Sequence, residues 1–178
     1  MQHEDPEPVG ESHFSATVEH RMQHVQAALV STFFDEIDGS PPRVETWRYA
    51  RGRGGGRTCV LEDGNVFEKA GINWSAIAGE QLPDGAVPAD HPAATAPFFA
   101  TGVSVVMHPH NPHVPTIHMN VRYFELRGDD AHNWWFGGGI DLTPFYPQRA
   151  QVITFHRELK ALCDTHDPAY YEEFKPWC

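Results

Sequence analysis

Cysteine is scarce in this chain. Cys59, Cys163 and Cys178 stand far apart with no C-x-x-C pair, which supports neither a disulfide framework nor a zinc ribbon and points to reduced thiols. Long apolar runs are missing as well. No stretch approaches the roughly 18 residues of a membrane span, and the N-terminal MQHEDPEPVGESH is acidic and proline-containing rather than basic and then apolar. Positive charge is short, with 13 Lys and Arg against 24 Asp and Glu and a formal net charge of -11. That balance argues against a general nucleic-acid binder, because phosphate affinity requires a basic footprint. A phosphate loop is also absent, since RGRGGGR lacks the GxxxxGK[ST] order. The expectation is a soluble, cytoplasmic protein with no membrane span and no nucleic-acid partner.

The 178 residues are 40% hydrophobic and 21% charged, a globular composition with length for one ordinary core. Residues 1–16 read as a flexible acidic tail and 17–178 as a single domain. Val18, Met22, Val25, Ala28, Leu29, Phe33 and Ile37 recur at three- and four-residue steps, which predicts an amphipathic helix from Thr17 to Ile37. The breaker cluster DGSPP ends it. Short apolar runs and glycine turns follow, with Glu62-Asp63-Gly64-Asn65 as a hairpin connection between antiparallel strands. Residues 79–97 predict a long loop, a lid or a disordered segment.

Two stretches then have period-two character. In Thr101–His108, Val103, Val105 and Met107 face one way while Ser104, Val106 and His108 face the other. In Thr116–Glu125, His118, Asn120, Arg122 and Phe124 oppose Ile117, Met119, Val121 and Tyr123. Alternate residues of a strand sit about 7 Å apart, so an acid/base, an amide and a fixed cation look into one space. A helical pattern returns from Pro147 to about Thr165, with Val152, Phe155, Leu159 and Leu162 on one face.

The stretch 108-HPHNPHVPTIHMNVRYFE-125 holds four histidines, which suit either a divalent transition metal or a solvated proline-stiffened loop. Gly137-Gly138-Gly139 before Asp141 suits either close approach of a flat ligand or a bulge. Arg48, Arg51, Arg53 and Arg57 form a local cation cluster suited to a small anionic ligand.

Taken together, GGGRTCVLEDGNVFEKAGINWSAIAG, GVSVVMHPHNPHVPTIHMNVRYFE, WWFGGGIDLTPFYP, FHRELKALCD and EEFKPWC resemble the oxygen-dependent coproporphyrinogen III oxidase family of haem biosynthesis, in the family's order. The resemblance runs from about residue 17 to the last residue. It implies an α+β fold, a large antiparallel sheet covered by helices on both faces, incomplete at its C-terminus because family members continue past the position of Cys178. It implies oxidative decarboxylation of two propionates of coproporphyrinogen III to vinyl groups, with O2 as co-substrate, no organic cofactor, and a homodimer.

Residue by residue, the resemblance assigns His118 as proton donor and Asp141 as acceptor from the pyrrole N–H groups. Ser104, Asn120, Val121 and Arg122 become substrate contacts, and His108 and His156 become ligands of a divalent metal such as manganese. Where the family carries Ser-Arg, this chain has Thr58-Cys59, which removes one arginine from the early cluster. Two other readings stand beside this one. The chain could be a non-catalytic tetrapyrrole- or partner-binding fragment, or a cupin-type metal oxygenase, since Gly102, His108 and His110 satisfy Gly-x5-His-x-His.

Overall fold

The computed structural model of the chain describes residues 6–82, 95–127 and 133–177. Helix α1 spans His13–Val30 and continues as π-helical turns over Ser31–Asp38. Six strands follow: β1 Arg43–Arg48, β2 Arg53–Glu62, β3 Phe67–Gly79, β4 Phe98–Pro109, β5 Thr116–Leu126 and β6 Asn133–Thr143. Helices α2, Arg149–Asp164, and α3, Tyr170–Phe174, close the chain. The strands form one antiparallel sheet in the order β1-β2-β3-β4-β5-β6, each paired with its neighbour in sequence. This α+β meander is open, which sets aside the closed all-β barrel of a cupin. Gly137, Gly138 and Gly139 pair in unbroken register with Arg122, Val121 and Asn120, so the bulge reading of the triple glycine is also set aside.

Register sorts the side chains into two faces. Cys59, Leu61, Ala70, Ile72, Trp74, Ala76, Phe99, Val103, Val105, Met107 and Tyr123 lie on one, and all are buried. Helix α1 packs across this face over β3 and β4. Each fully buried large side chain there, such as Trp74 or Phe99, contributes about 1.5–3 kcal/mol of hydrophobic stabilisation. The opposite face carries Thr58, Asn73, Ser104, His118, Asn120 and Arg122. Helices on both faces were expected; among the described residues α1 covers one, while α2 and α3 stand beside β6 and α2 buries none of its residues.

Helix α1 differs from its expected pattern for a polar reason. Its buried stripe is Ser15, Val18, Glu19, Met22 and Gln26, whereas Val25 and Ile37 are exposed. Each polar member has backbone to satisfy. Ser15 joins Ser12 in a capping box that starts the helix at His13 rather than Thr17. Glu19 accepts from the N–H groups of Val9 and Gly10. Gln26 donates to the carbonyls of Arg57 and Ile72, fastening helix to sheet. The expected acidic tail is therefore corrected for residues 6–16: Val9 is buried in the core and Arg127 donates to its carbonyl.

The helix ends at Gly39, whose φ of 78° is the left-handed conformation glycine adopts freely. Just before it, the buried Asp38 accepts hydrogen bonds from the N–H groups of Asn65, Val66 and Phe67. It thereby ties the helix end to the β2–β3 hairpin. Burial pushes this carboxyl up, but the hydrogen bonds from Ser40, Phe67, Val66 and Asn65 prevail and hold it at about 2. Most of the expected 79–97 loop lies outside the described residues.

Candidate functional site

The open face of β4, β5 and β6 holds the site, and cross-strand register builds it. His118 on β5 sits opposite Asp141 on β6, Asn120 opposite Gly139 and Ser104, and Arg122 opposite Gly137 and Gly102. His118 Nδ1 lies 2.9 Å from Asp141 Oδ1. An ionised carboxylate can only accept, so Nδ1 carries the proton and Nε2 is left to exchange one with a ligand. Thr143 Oγ1 donates to the same Asp141 oxygen at 3.0 Å, which leaves Oδ2 free to accept. Both partners are reachable from solvent, with 44% and 58% of their side chains exposed.

Arg122 donates to Asn120 Oδ1 at 3.3 Å and lies along Gly137, where a Cβ would come within 3.3 Å of its Nε. Any side chain at residue 137 would push against the guanidinium. A hollow of about 440 Å³ is bordered by Ser104, His118, Asn120, Gly139, Asp141 and Trp177. A second, of about 420 Å³, adjoins it through Ser104 and Asn120 and runs over Asn73 and Ser75 to Trp47 on β1. Hydroxyl, amide, imidazole, carboxylate and guanidinium thus look onto one flat surface. Such a surface can hold carboxylates, accept from N–H donors and move one proton.

The sequence-predicted residues divide accordingly. Ser104, His118, Asn120, Arg122 and Asp141 come together on the open face. Val121 borders the same surface, although strand alternation turns its side chain to the opposite face, where it packs against the core. Of the early arginines, Arg57 bonds Gln26 on the helix side and Arg53 pairs with Glu11, so neither adds to the charge of Arg122. Cys59 is likewise buried on the helix side, and the missing arginine at that position leaves the open face untouched.

The two histidines expected to hold a metal occupy different surroundings. The His108 ring sits 5.8 Å from that of His118, with Thr116 Oγ1 3.5 Å from its Nδ1. His156, on α2, meets the Tyr171 hydroxyl at 3.0 Å and lines a cavity between β6 and α2. Among the described residues no three His, Cys, Asp or Glu side chains gather closely enough to hold a metal ion. His108 and His156 therefore stand without a third such ligand among these residues. His110, the other member of the cupin pattern, bonds the Gly64 carbonyl instead.

Sequence reading missed the far half of this face, namely Trp47, Thr58, Asn73 and Ser75, and the support from Thr143. Glycine-rich β2 hides the period-two signal there. Thr143 was legible in principle, two residues from Asp141 on the same strand face.

Residues 17–178 match the family model described as coproporphyrinogen III oxidase. The chain is 46% identical over 172 residues to the oxygen-dependent coproporphyrinogen-III oxidase of Drosophila melanogaster, covering 89% of this chain and 44% of that protein. It is 48% identical over 145 residues to the protein of the same name from Prochlorococcus marinus (strain MIT 9313), covering 81% and 40%. It thus spans about two fifths of the length of the curated relatives it matches.

Proposed function

Because the chain belongs to the coproporphyrinogen III oxidase family, we propose that it carries the substrate surface of an oxygen-dependent enzyme converting two propionates of coproporphyrinogen III to vinyl groups. The observation that carries this reading is the His118–Asp141–Thr143 constellation beside Ser104, Asn120 and Arg122 on one open sheet face.

For each propionate, a C–C bond to the carboxyl carbon breaks, CO2 leaves, and a C–H bond on the pyrrole-side carbon breaks as the vinyl double bond forms. The two electrons and two protons reduce O2 to H2O2. Within that balance the chain's residues bind, orient and handle protons. Arg122 holds a substrate carboxylate by charge-assisted hydrogen bonds. Asp141, with Oδ2 free, accepts from the pyrrole N–H groups and draws the macrocycle flat onto the sheet. His118 exchanges a proton through Nε2 while Asp141 fixes its tautomer. Ser104 and Asn120 supply neutral hydrogen bonds between those charges. No step is assigned to a metal. A cytoplasmic homodimer belongs to the same proposal, and no helix among the described residues is long and apolar enough to cross a membrane.

The test is aerobic incubation with coproporphyrinogen III and chromatographic detection of mono- and divinyl products, with an anaerobic control. Oxygen-dependent product supports the full reading. Binding without product reduces it to the fragment alternative, a tetrapyrrole-binding chain that does not catalyse, and neither binding nor product removes it.

A further inference from the structure

The substrate-facing residues expected from sequence sit on β4, β5 and β6, yet the open face continues unbroken to β1. One register row runs Trp47–Gly56–Ser75–Gly102–Arg122–Gly137 across all six strands. Between the two large members, Trp47 and Arg122, stand only Gly56, Ser75 and Gly102. At a strand spacing of about 4.8 Å, they make a flat floor roughly three strands wide on which a ring can approach the backbone.

Trp47 does not stand upright at the end of this floor. Its indole folds inward over β2, so that a Cβ at Gly56 would come within 2.7 Å of the six-membered ring. It keeps 41% of its surface exposed although it is among the largest apolar side chains in the chain. The core does not need it there, because the helix-side face is filled by Trp74, Ile72 and Phe99. The adjoining row, Thr58–Asn73–Ser104–Asn120–Gly139, offers hydroxyls and amides alongside. Asn73 Oδ1 is buried against this surface without a hydrogen-bond partner, an acceptor left unused at the far side from Asp141.

We propose that Trp47 is the distal wall of the substrate surface, its indole packing against the macrocycle rim opposite Arg122 and setting how large a tetrapyrrole the sheet accepts. This rests on the reading of the open face as the coproporphyrinogen III surface. An indole suits the role because its face is apolar and electron-rich, matching the hydrophobic rim of a pyrrole ring between its carboxylate substituents. Arg122 then takes a propionate at one end while Trp47 takes ring surface at the other, and the macrocycle is held at two separated points.

The experiment is anaerobic equilibrium binding of coproporphyrinogen III to the 178-residue chain, so that no turnover intervenes, alongside its Trp47→Ala and Trp47→Phe variants. The same three proteins are titrated with a bulkier tetrapyrrole bearing acetates in place of ring methyl groups. Loss of one aromatic packing contact predicts about tenfold weaker binding of coproporphyrinogen III by Trp47→Ala, with Trp47→Phe within about threefold of wild type. Trp47→Ala also narrows the preference for coproporphyrinogen III over the bulkier ligand. Far-UV dichroism and urea midpoints confirm that the variants are folded. Wild-type binding with equal affinity and equal preference in folded Trp47→Ala overturns the inference and leaves the proposed function standing. No binding by wild type overturns that reading and this one together.

Discussion

Asp38 offers the sharpest test of how the fold is held together, because one carboxylate closes the helix end onto the sheet. Its Oδ1 accepts from Asn65 N–H at 3.0 Å and its Oδ2 from Val66 and Phe67 N–H at 2.8 and 2.9 Å. The side chain is nearly inaccessible, at 4% exposure. Replacing it with alanine leaves three donors to find other partners, of which Phe67 N–H is buried beyond the reach of water. Hydrogen bonds to a charged group contribute about 1.5–3 kcal/mol each, and the two outer donors recover part of theirs from solvent. The expected cost of Asp38→Ala is about 3–4 kcal/mol.

Asp38→Asn removes the charge and keeps the shape, and its effect follows from linkage. The folded carboxyl lies at about 2 against an ordinary value of 3.8, a difference worth about 2 kcal/mol at neutral pH. The folded value is the lower one, so this stability is fully present above about pH 4 and is lost as pH falls through about 2. Urea unfolding followed by tryptophan fluorescence reads both effects. At an m-value of about 2 kcal/mol/M, Asp38→Asn moves the midpoint down by about 1 M at pH 7, and the gap closes toward pH 2. A midpoint for Asp38→Ala equal to wild type at pH 7, or a gap for Asp38→Asn that does not change with pH, would refute the reasoning.

Three further outcomes follow from the site and the core. In a catalytically competent protein bearing these residues, His118→Ala lowers turnover by about 100-fold or more with the urea midpoint unchanged; steady-state kinetics beside unfolding curves check it. Gly137→Val drives Arg122 off its position, since the glycine lies against the guanidinium, and isothermal titration should show weaker coproporphyrinogen III binding with little change in secondary structure. Phe34, fully buried under the helix end, costs about 3–5 kcal/mol when cut to alanine, seen as a lowered thermal midpoint.

Strands β4 and β5 were legible because their central residues alternate apolar and polar, Ile117–Tyr123 throughout and Val103–His108 with Val106 as the exception. The same alternation placed His118, Asn120 and Arg122 on one face. The His118–Asp141 pair was a different matter. Twenty-three residues separate the two, and only the β5–β6 register brings them within 2.9 Å. Spacing along the chain carries no such information, and the family resemblance gave the two residues separate roles without pairing them.

What sequence could not show has identifiable causes. The buried stripe of α1 is partly polar, so a search for apolar periodicity found a helix but chose Val25 and Ile37, which are exposed. Residues near Val9 read as solvated because their anchors, Glu19 and Arg127, come from distant parts of the chain. Trp47 stayed unremarked because its neighbours in the row are Gly56, Ser75 and Gly102, residues with little pattern of their own. The arginine cluster divides, Arg57 bonding Gln26 while Arg51 and Arg53 border a recess, because proximity in sequence says nothing about which sheet face or partner each guanidinium takes.

The most direct test is a crystal structure of the chain grown anaerobically with coproporphyrinogen III. The account predicts the macrocycle flat on the open face, pyrrole N–H groups toward Asp141, and a propionate on Arg122. A ligand seated instead in the cavity between β6 and α2, or in the recess lined by Arg51 and Arg53, would contradict it.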